Sequence, residues 1–262
     1  MTYAPLQVAR TGLDAQSSRM RVIANNLANV NTTGFKRDRA EFQTLAYQQM
    51  TAAGASSSGE NRYAVGLNLG TGVSITGTAR IMAAGALDTT DNPLDLAIEG
   101  DGFFQITRPD GSVGYTRAGN FHLSAEGKMV TSDGNPIQPE IQIPDGAQGV
   151  TIGADGTVSA TMAGQSDATE VGKIEIARFV NPAGLQSLGD NLYSETAASG
   201  SAQTGAAGAE GRGTIHQGAL EASNVNIVQE LVDMIETQRA YEVNSKMISS
   251  TDEMLRNANQ QL

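Results

Sequence analysis

A chain of 262 residues with 39% hydrophobic content can bury a sizeable core, and its length allows one large domain or two smaller ones. The formal charge, 17 minus 28 or −11, repels nucleic acid and anionic membrane surfaces, and the absence of cysteine removes disulfide frameworks, thiolate metal sites and thiol nucleophiles together. Six Phe, six Tyr, no Trp and 30 Gly favour turn-rich β structure over a thick core. Arg10, Asp14, Arg19 and Arg21 interrupt any secretory apolar region in the first thirty residues, and no run of about 18 apolar residues could insert into a bilayer.

In the N-terminal segment Leu6, Leu13, Met20 and Leu27 fall seven apart, with Ala9, Ile23 and Val30 three residues after three of them and Gln16 in the fourth place. This is a heptad seam on one helix face. Pro5 is tolerated only in a first turn, and Gly34 supplies the left-handed residue that ends many helices, so the spacing predicts a helix over 1–34. Residues 35–79 read as an extended connector, with small polar TAAGASSSGENR at 51–62.

From 80 to 205 the pattern changes to short alternating strands. Phe104 and Ile106 share a side, as do Val113 and Tyr115, Phe121 and Leu123, and Ile174 and Ile176. Asp110-Gly111, Asp133-Gly134, Asp145-Gly146 and Asp155-Gly156 mark turns, and VTIGADGTVSATM reads as a hairpin whose Asp-Gly pair adopts positive φ. The Ala, Gly and Ser-rich run at 194–213 reads as mobile, and 206–222 as a return connector.

The last segment, 223–262, is a second helix, with Ser223 or Asn224 as its N-cap. Ile227, Met234, Tyr241, Ile248, Leu255 and Leu262 fall seven apart, Leu231 follows four after the first, and Val243, Met247 and Met254 widen the stripe. At 1.5 Å per residue the two helices are about 40 and 50 Å long, and stripes so narrow need each other or other copies. The first 42 residues carry six Lys or Arg against three acids, and 221–262 carry three against seven, a weak mutual attraction. The expected fold is α+β: long terminal helices pairing as a coiled-coil-like domain, an inserted antiparallel all-β domain, and an extended connector.

No motif here carries catalysis, a cofactor or a metal. GDGFFQ at 100–105 lacks the third glycine of a dinucleotide fingerprint and precedes no helix pattern. Asp91, Asp95, Glu99 and Asp101 could in principle hold calcium or serve a secreted carbohydrate-active enzyme, but strand alternation and turn residues explain the same letters. The Asp-Gly turns lack the acidic spacing of an EF-hand, His122 and His216 have no triad partners in sequence, and Asn31-Thr32-Thr33 is a chance glycosylation pattern.

The segment ANNLANVNTTGF at 24–35 sets Asn25, Asn26, Asn29 and Asn31, poor helix formers, at the end of the first helix. Asn25 and Asn29 share a face and Asn26 points elsewhere; SNVN at 223–226 adds Asn224 and Asn226. Asparagine at a packed helix surface costs stability and selects register, because its amide finds a partner in one alignment only. The assembly surface expected from the residues is therefore Leu6, Leu13, Met20, Ile23 and Leu27 against Ile227, Leu231, Met234, Tyr241, Ile248 and Leu255, with Asn25, Asn29, Asn224 and Asn226 setting register.

ANNLANVNTTGFKR, NPLDLAIEGDGFF at 92–104, YTRAGNF at 115–121 and LEASNVNIVQELVDMIETQRAYEVNSK at 220–246 resemble the shared signatures of bacterial flagellar rod and hook proteins. The resemblance runs nearly end to end. The length, GLNLGTGV at 66–73 and NLYSET at 191–196 are most similar to distal rod members, with hook and proximal rod subunits as the alternatives.

The resemblance implies a non-enzymatic building block of a helical tube, without cofactor. It implies axial helices around a channel, an outer β wall, and export through the flagellar apparatus without a cleaved signal to the periplasmic part of the basal body. Implied partners are copies of the chain, proximal rod proteins, hook protein, and peptidoglycan-ring and outer-membrane-ring proteins. For the free subunit the sparse stripes predict termini that stay disordered until assembly and a folded fragment near 75–215.

Overall fold

The computed structural model describes residues 4–54, 56–58, 61–162 and 168–260. It is α+β, with a helix α1 at Ala4–Ala28, a helix α2 at Ile227–Gln260, and antiparallel strands between them. The chain divides into two compact units. A helix-and-ribbon unit comprises Met1–Leu27, Asp38–Ala79 and Asn226–Leu262, and a β unit comprises Ala28–Arg37 and Arg80–Val225.

The β unit is built on a seven-stranded antiparallel sheet. Gln186–Gly189, Leu192–Ser194, Val113–Thr116, Phe103–Thr107, Glu175–Arg178 and Gln203–Ala206 follow one another across it, and Ile137–Gln138 also pairs with Phe103–Thr107. Successive side chains of a strand point to opposite faces, so Phe103 and Phe104 enter different cores. Phe104, Ile106, Ile174 and Ile176 join Phe121, Met129, Ile141 and Ile215 in one buried cluster, which also takes Ile152, Val158 and Ala160 from a three-stranded sheet. Phe103, Tyr115, Ala177, Phe179 and Tyr193 form the other, with ring centroids 4.8 Å apart for Tyr115 and Phe179 in an edge-to-face pair. Of the side-sharing pairs expected from alternation, Phe121 is buried and Leu123 is 44% exposed, because its strand is only two residues long.

Three of the four Asp-Gly signals, all but Asp145-Gly146, act in a common way. The hairpin of Ala147–Ile152 and Thr157–Met162 forms, but Asp155 keeps negative φ and only Gly156, at 87°, is left-handed. Gly156 donates to Gly153 and Gly153 to Thr157, both at 2.9 Å. Arg108–Ser112 and Thr131–Asn135 repeat the arrangement, a three-residue loop closed by a left-handed glycine, and Ser124–Lys128 does the same around Glu126-Gly127. The Ala and Gly-rich run is more ordered than its composition suggests: Gln203–Ala206 is an edge strand of the large sheet and Ala207 is buried.

In the helix-and-ribbon unit, Pro5 sits in the first turn of α1, where its missing N–H has no helical acceptor to lose. The helix ends at Ala28, not at Gly34. Asn29 stops it by accepting from Thr32 at its backbone oxygen (3.1 Å) and at Oδ1 (3.2 Å), the local competition that makes asparagine a turn residue. Gly34 is needed for another reason, since a Cβ there would lie 2.6 Å from the Arg117 carbonyl carbon.

The segment read as an extended connector is a two-stranded antiparallel ribbon. Asp38–Thr44 pairs with Val73–Arg80, Gln48–Thr51 with Leu67–Leu69, and Ser56–Ser58 with Asn61–Arg62. Its root lies on α1, where a Cβ on Gly72 would collide with Thr11 Oγ1.

Candidate assembly surface

Along the helices the contacts run in opposite chain directions. A Cβ at Gly12 would stand 3.2 Å from Asn244 Nδ2, Arg19 meets Asp233 at 3.5 Å, and Asn26 Nδ2 meets Glu230 Oε2 at 3.3 Å. Gly12, Arg19 and Asn26 are a heptad, and Glu230, Thr237 and Asn244 are another. Glu230 and Thr237 are buried on α2, while α1 buries Ala9, Ala15, Ile23 and Asn26. The helices thus meet through small and polar residues. Gln16, at the heptad position of Ala9 and Ile23, has an Oε1 without a hydrogen-bond partner among the described residues.

Asn26 is the residue that ties this unit together. Its Nδ2 donates to the Asp38 oxygen at 2.9 Å and its Oδ1 accepts from the Asp38 nitrogen at 3.0 Å, while the same Nδ2 reaches Glu230. One amide therefore joins α1, the ribbon root and α2. Asn25 is exposed, Asn29 stands in the turn, and Asn226 is the N-cap of α2, accepting from Gln229 N at 3.2 Å, which moves the cap beyond Ser223 and Asn224.

The apolar stripe residues divide by helix. Leu6, Leu13, Met20 and Leu27 are half-buried. On α2, Met234 and Ile248 are half-buried, whereas Ile227, Leu231 and Tyr241 are exposed at 47%, 43% and 40%. Val228, Val232, Ile235, Val243, Met247 and Met254 are exposed beside them. The side chain of Leu255, and Leu262, lie outside the described part.

In the β unit a buried ionic cluster escaped the sequence reading. The Glu221 carboxylate accepts from Lys36 Nζ and Gly85 N at one oxygen and from Arg117 Nη1 at the other (3.3 Å). All three charged side chains are at most 5% exposed. Burial pulls the Lys36 pKa down, opposed by Glu221, and burial lowers that of Arg117 likewise. Arg117 also donates to the oxygens of Ile98 and Gly100 and lies over the Phe103 ring. Beside this cluster Asn224 accepts from Arg37 N at 2.8 Å and donates to the oxygens of Ile81 and Ala83. Lys36, Arg117 and Glu221 stand far apart in the chain, and only their placement inside the signature segments marked them.

The acidic segment at 91–101 is structural. Asp95 is buried and accepts from Thr90 Oγ1 at 2.6 Å and Asn92 Nδ2 at 2.9 Å, and Glu99 faces His216 at an exposed edge. Among the described residues no cluster of His, Asp or Glu has the arrangement of a metal site. No described helix is long and apolar enough to cross a membrane.

Three family models match the chain. Residues 6–36 match that of the flagella basal body rod protein, 97–160 the D1 domain of the flagellar hook protein FlgE/F/G, and 216–261 the C-terminal region of the flagellar basal body rod FlgEFG protein. The chain is 50% identical to the flagellar basal-body rod protein FlgG of Buchnera aphidicola from Schizaphis graminum, over 97% of this chain and 98% of that one. It is 47% identical to FlgG of Caulobacter vibrioides, again over 97% and 98%, and 36% identical to FlgF of that organism over 96% of each.

Proposed function

The chain belongs to the flagellar basal-body rod family, and from that premise we propose that it is the structural, non-enzymatic subunit of the distal rod, joining copies of itself and other rod and hook components. The higher identity to FlgG than to FlgF in Caulobacter vibrioides, over equally complete alignments, favours the distal rod over a neighbouring rod segment.

The observation that carries a tube-forming reading is the apolar side of α2. A helix of 34 residues that exposes Ile227, Leu231, Ile235, Tyr241 and Met247 while meeting its neighbour through Glu230, Asp233 and Asn244 leaves its greasiest surface for other molecules. In this reading α1 and α2 form the coiled-coil-like inner domain, with the β domain near 80–205 inserted between them. The expected assembly residues Leu6, Leu13, Met20, Leu27, Ile227, Leu231, Met234, Tyr241, Ile248 and Leu255 then lie between copies, while Ile23 is already buried within the chain. A head-to-tail interface that does not close gives an open helical lattice. Torque is transmitted by many such helices side by side. The periplasmic location, passage without a cleaved signal, and contact with the peptidoglycan and outer-membrane rings follow from the same reading.

Electron microscopy of concentrated purified protein tests it. Tubes of constant diameter are expected; a species that stays monomeric at every concentration, alone and with rod components, overturns the reading.

A further inference from the structure

The four consecutive residues Gly34 to Arg37 all bond into the short segment 221–224. Gly34 N donates to Glu221 O at 2.7 Å, Phe35 O accepts from Asn224 N at 3.3 Å, Lys36 Nζ binds the Glu221 carboxylate, and Arg37 N donates to Asn224 Oδ1 at 2.8 Å. Lys36 and Arg37 have a second anchor on the other side, at Ala83 O and Ile81 N, and Asn224 Nδ2 bridges to both of those residues. The N-terminal root therefore lies in a slot with one wall made by the C-terminal root.

The dependence is not mutual. Ala219–Glu221 has its own ladder with Leu87–Thr89, Ala222 N donates to Ala86 O at 2.8 Å, and the Glu221 carboxylate keeps Gly85 N and Arg117 without any help from residue 36. Without segment 221–224, in contrast, Lys36 is a buried ammonium facing one carbonyl and the amides of Gly34 and Arg37 lose their acceptors, the Glu221 backbone oxygen and Asn224 Oδ1, whereas segment 219–224 without its partner loses one backbone acceptor, Phe35 O for Asn224 N. Removing one partner of a buried ion pair is far more costly than its surface equivalent.

We propose that Glu221 and Asn224 form a latch that fixes the order of closure: segment 219–224 docks first, and segment 34–37 docks only onto it. In a chain synthesised from its N-terminus, the N-terminal root then stays open until residue 224 has appeared, and a chain broken before that point never closes. The latch joins elements of the β unit alone and does not depend on how copies assemble.

Hydrogen exchange on the full chain tests the asymmetry. In the doubly substituted Glu221→Gln, Asn224→Ala chain the amides of Gly34 and Arg37 should exchange more than about tenfold faster, while Ala222 and the core amides of Phe104 and Ile176 keep their protection. In Lys36→Met, which attacks the slot from the other side, Ala222 should also stay protected. Unchanged protection of Gly34 and Arg37 in the double variant overturns the latch. Loss of protection at Ala222 in Lys36→Met overturns the order.

Discussion

The two units spend their apolar residues in opposite ways. Among the described residues, 18 of the exposed large apolar side chains belong to the helix-and-ribbon unit and 4 to the β unit, Leu87, Leu123, Val180 and Leu188. Burial is reversed: the helix-and-ribbon unit buries only Ala9, Ala15 and Ile23 among its described hydrophobic residues, whereas the β unit closes two cores around Phe103 and Phe104. A unit of the second kind hides its surface within one molecule. A unit of the first kind has the surface and lacks the cover within one molecule, so in the proposed assembly its stability follows protomer concentration.

Breaking this contrast from the helix side should give the largest effect. Leu231→Asp with Ile235→Asp places two charges in the exposed stripe, so tubes should vanish in electron micrographs while the urea midpoint of the β unit stays where it was. A shift of that midpoint would mean the stripe already serves the monomer. Attack from the other side is Phe104→Ala, which removes a fully buried ring and should cost the β unit about 3–5 kcal/mol in urea unfolding. Met247→Ala, similar in chemistry but exposed, should change monomer stability by less than about 0.5 kcal/mol.

Smaller effects sharpen the comparison at the helix ends. Asn226→Ala removes the cap of α2 and should lower its stability by about 1 kcal/mol, read as lost helicity. The smallest effect is a pH dependence. Burial holds the Lys36 pKa below 10.5, so the unfolded chain keeps that proton to higher pH than the folded one, and stability should rise with pH in the interval just below 10.5. The urea midpoint of Lys36→Met, compared with the parent from about pH 8 upward, should lack that rise. Equal rises in both proteins would remove Lys36 as the cause.

The sequence announced what periodicity and turn chemistry encode. The two long helices, the hairpin at 150–162, the alternation of Phe104 with Ile106 and of Ile174 with Ile176, and the apolar heptad on α2 could all be read from residue spacing. The ribbon could not, because its strands are largely exposed and so carry no alternation of burial; backbone pairing alone makes them strands. Nor could the role of Asn26, which helical spacing sets on a different face from Asn25 and which the positions of Asp38 and Glu230 decide. The polar heptad Glu230, Thr237 and Asn244 was open to inspection but invisible to a search for apolar spacing. Lys36, Arg117 and Glu221 meet only through tertiary structure. They belong to the compact unit of 28–37 and 80–225, whose limits differ from the 75–215 fragment read from the sequence.

Hydrogen exchange across a dilution series measures the central contrast directly. Amides in the middle of α2, from Leu231 to Met247, should gain protection steeply as protomer concentration rises and lose it on dilution, while those of Phe104, Ile106 and Ile176 stay equally protected throughout. Protection of α2 that is strong and independent of concentration would show that the helix needs no other copies, and would contradict the account.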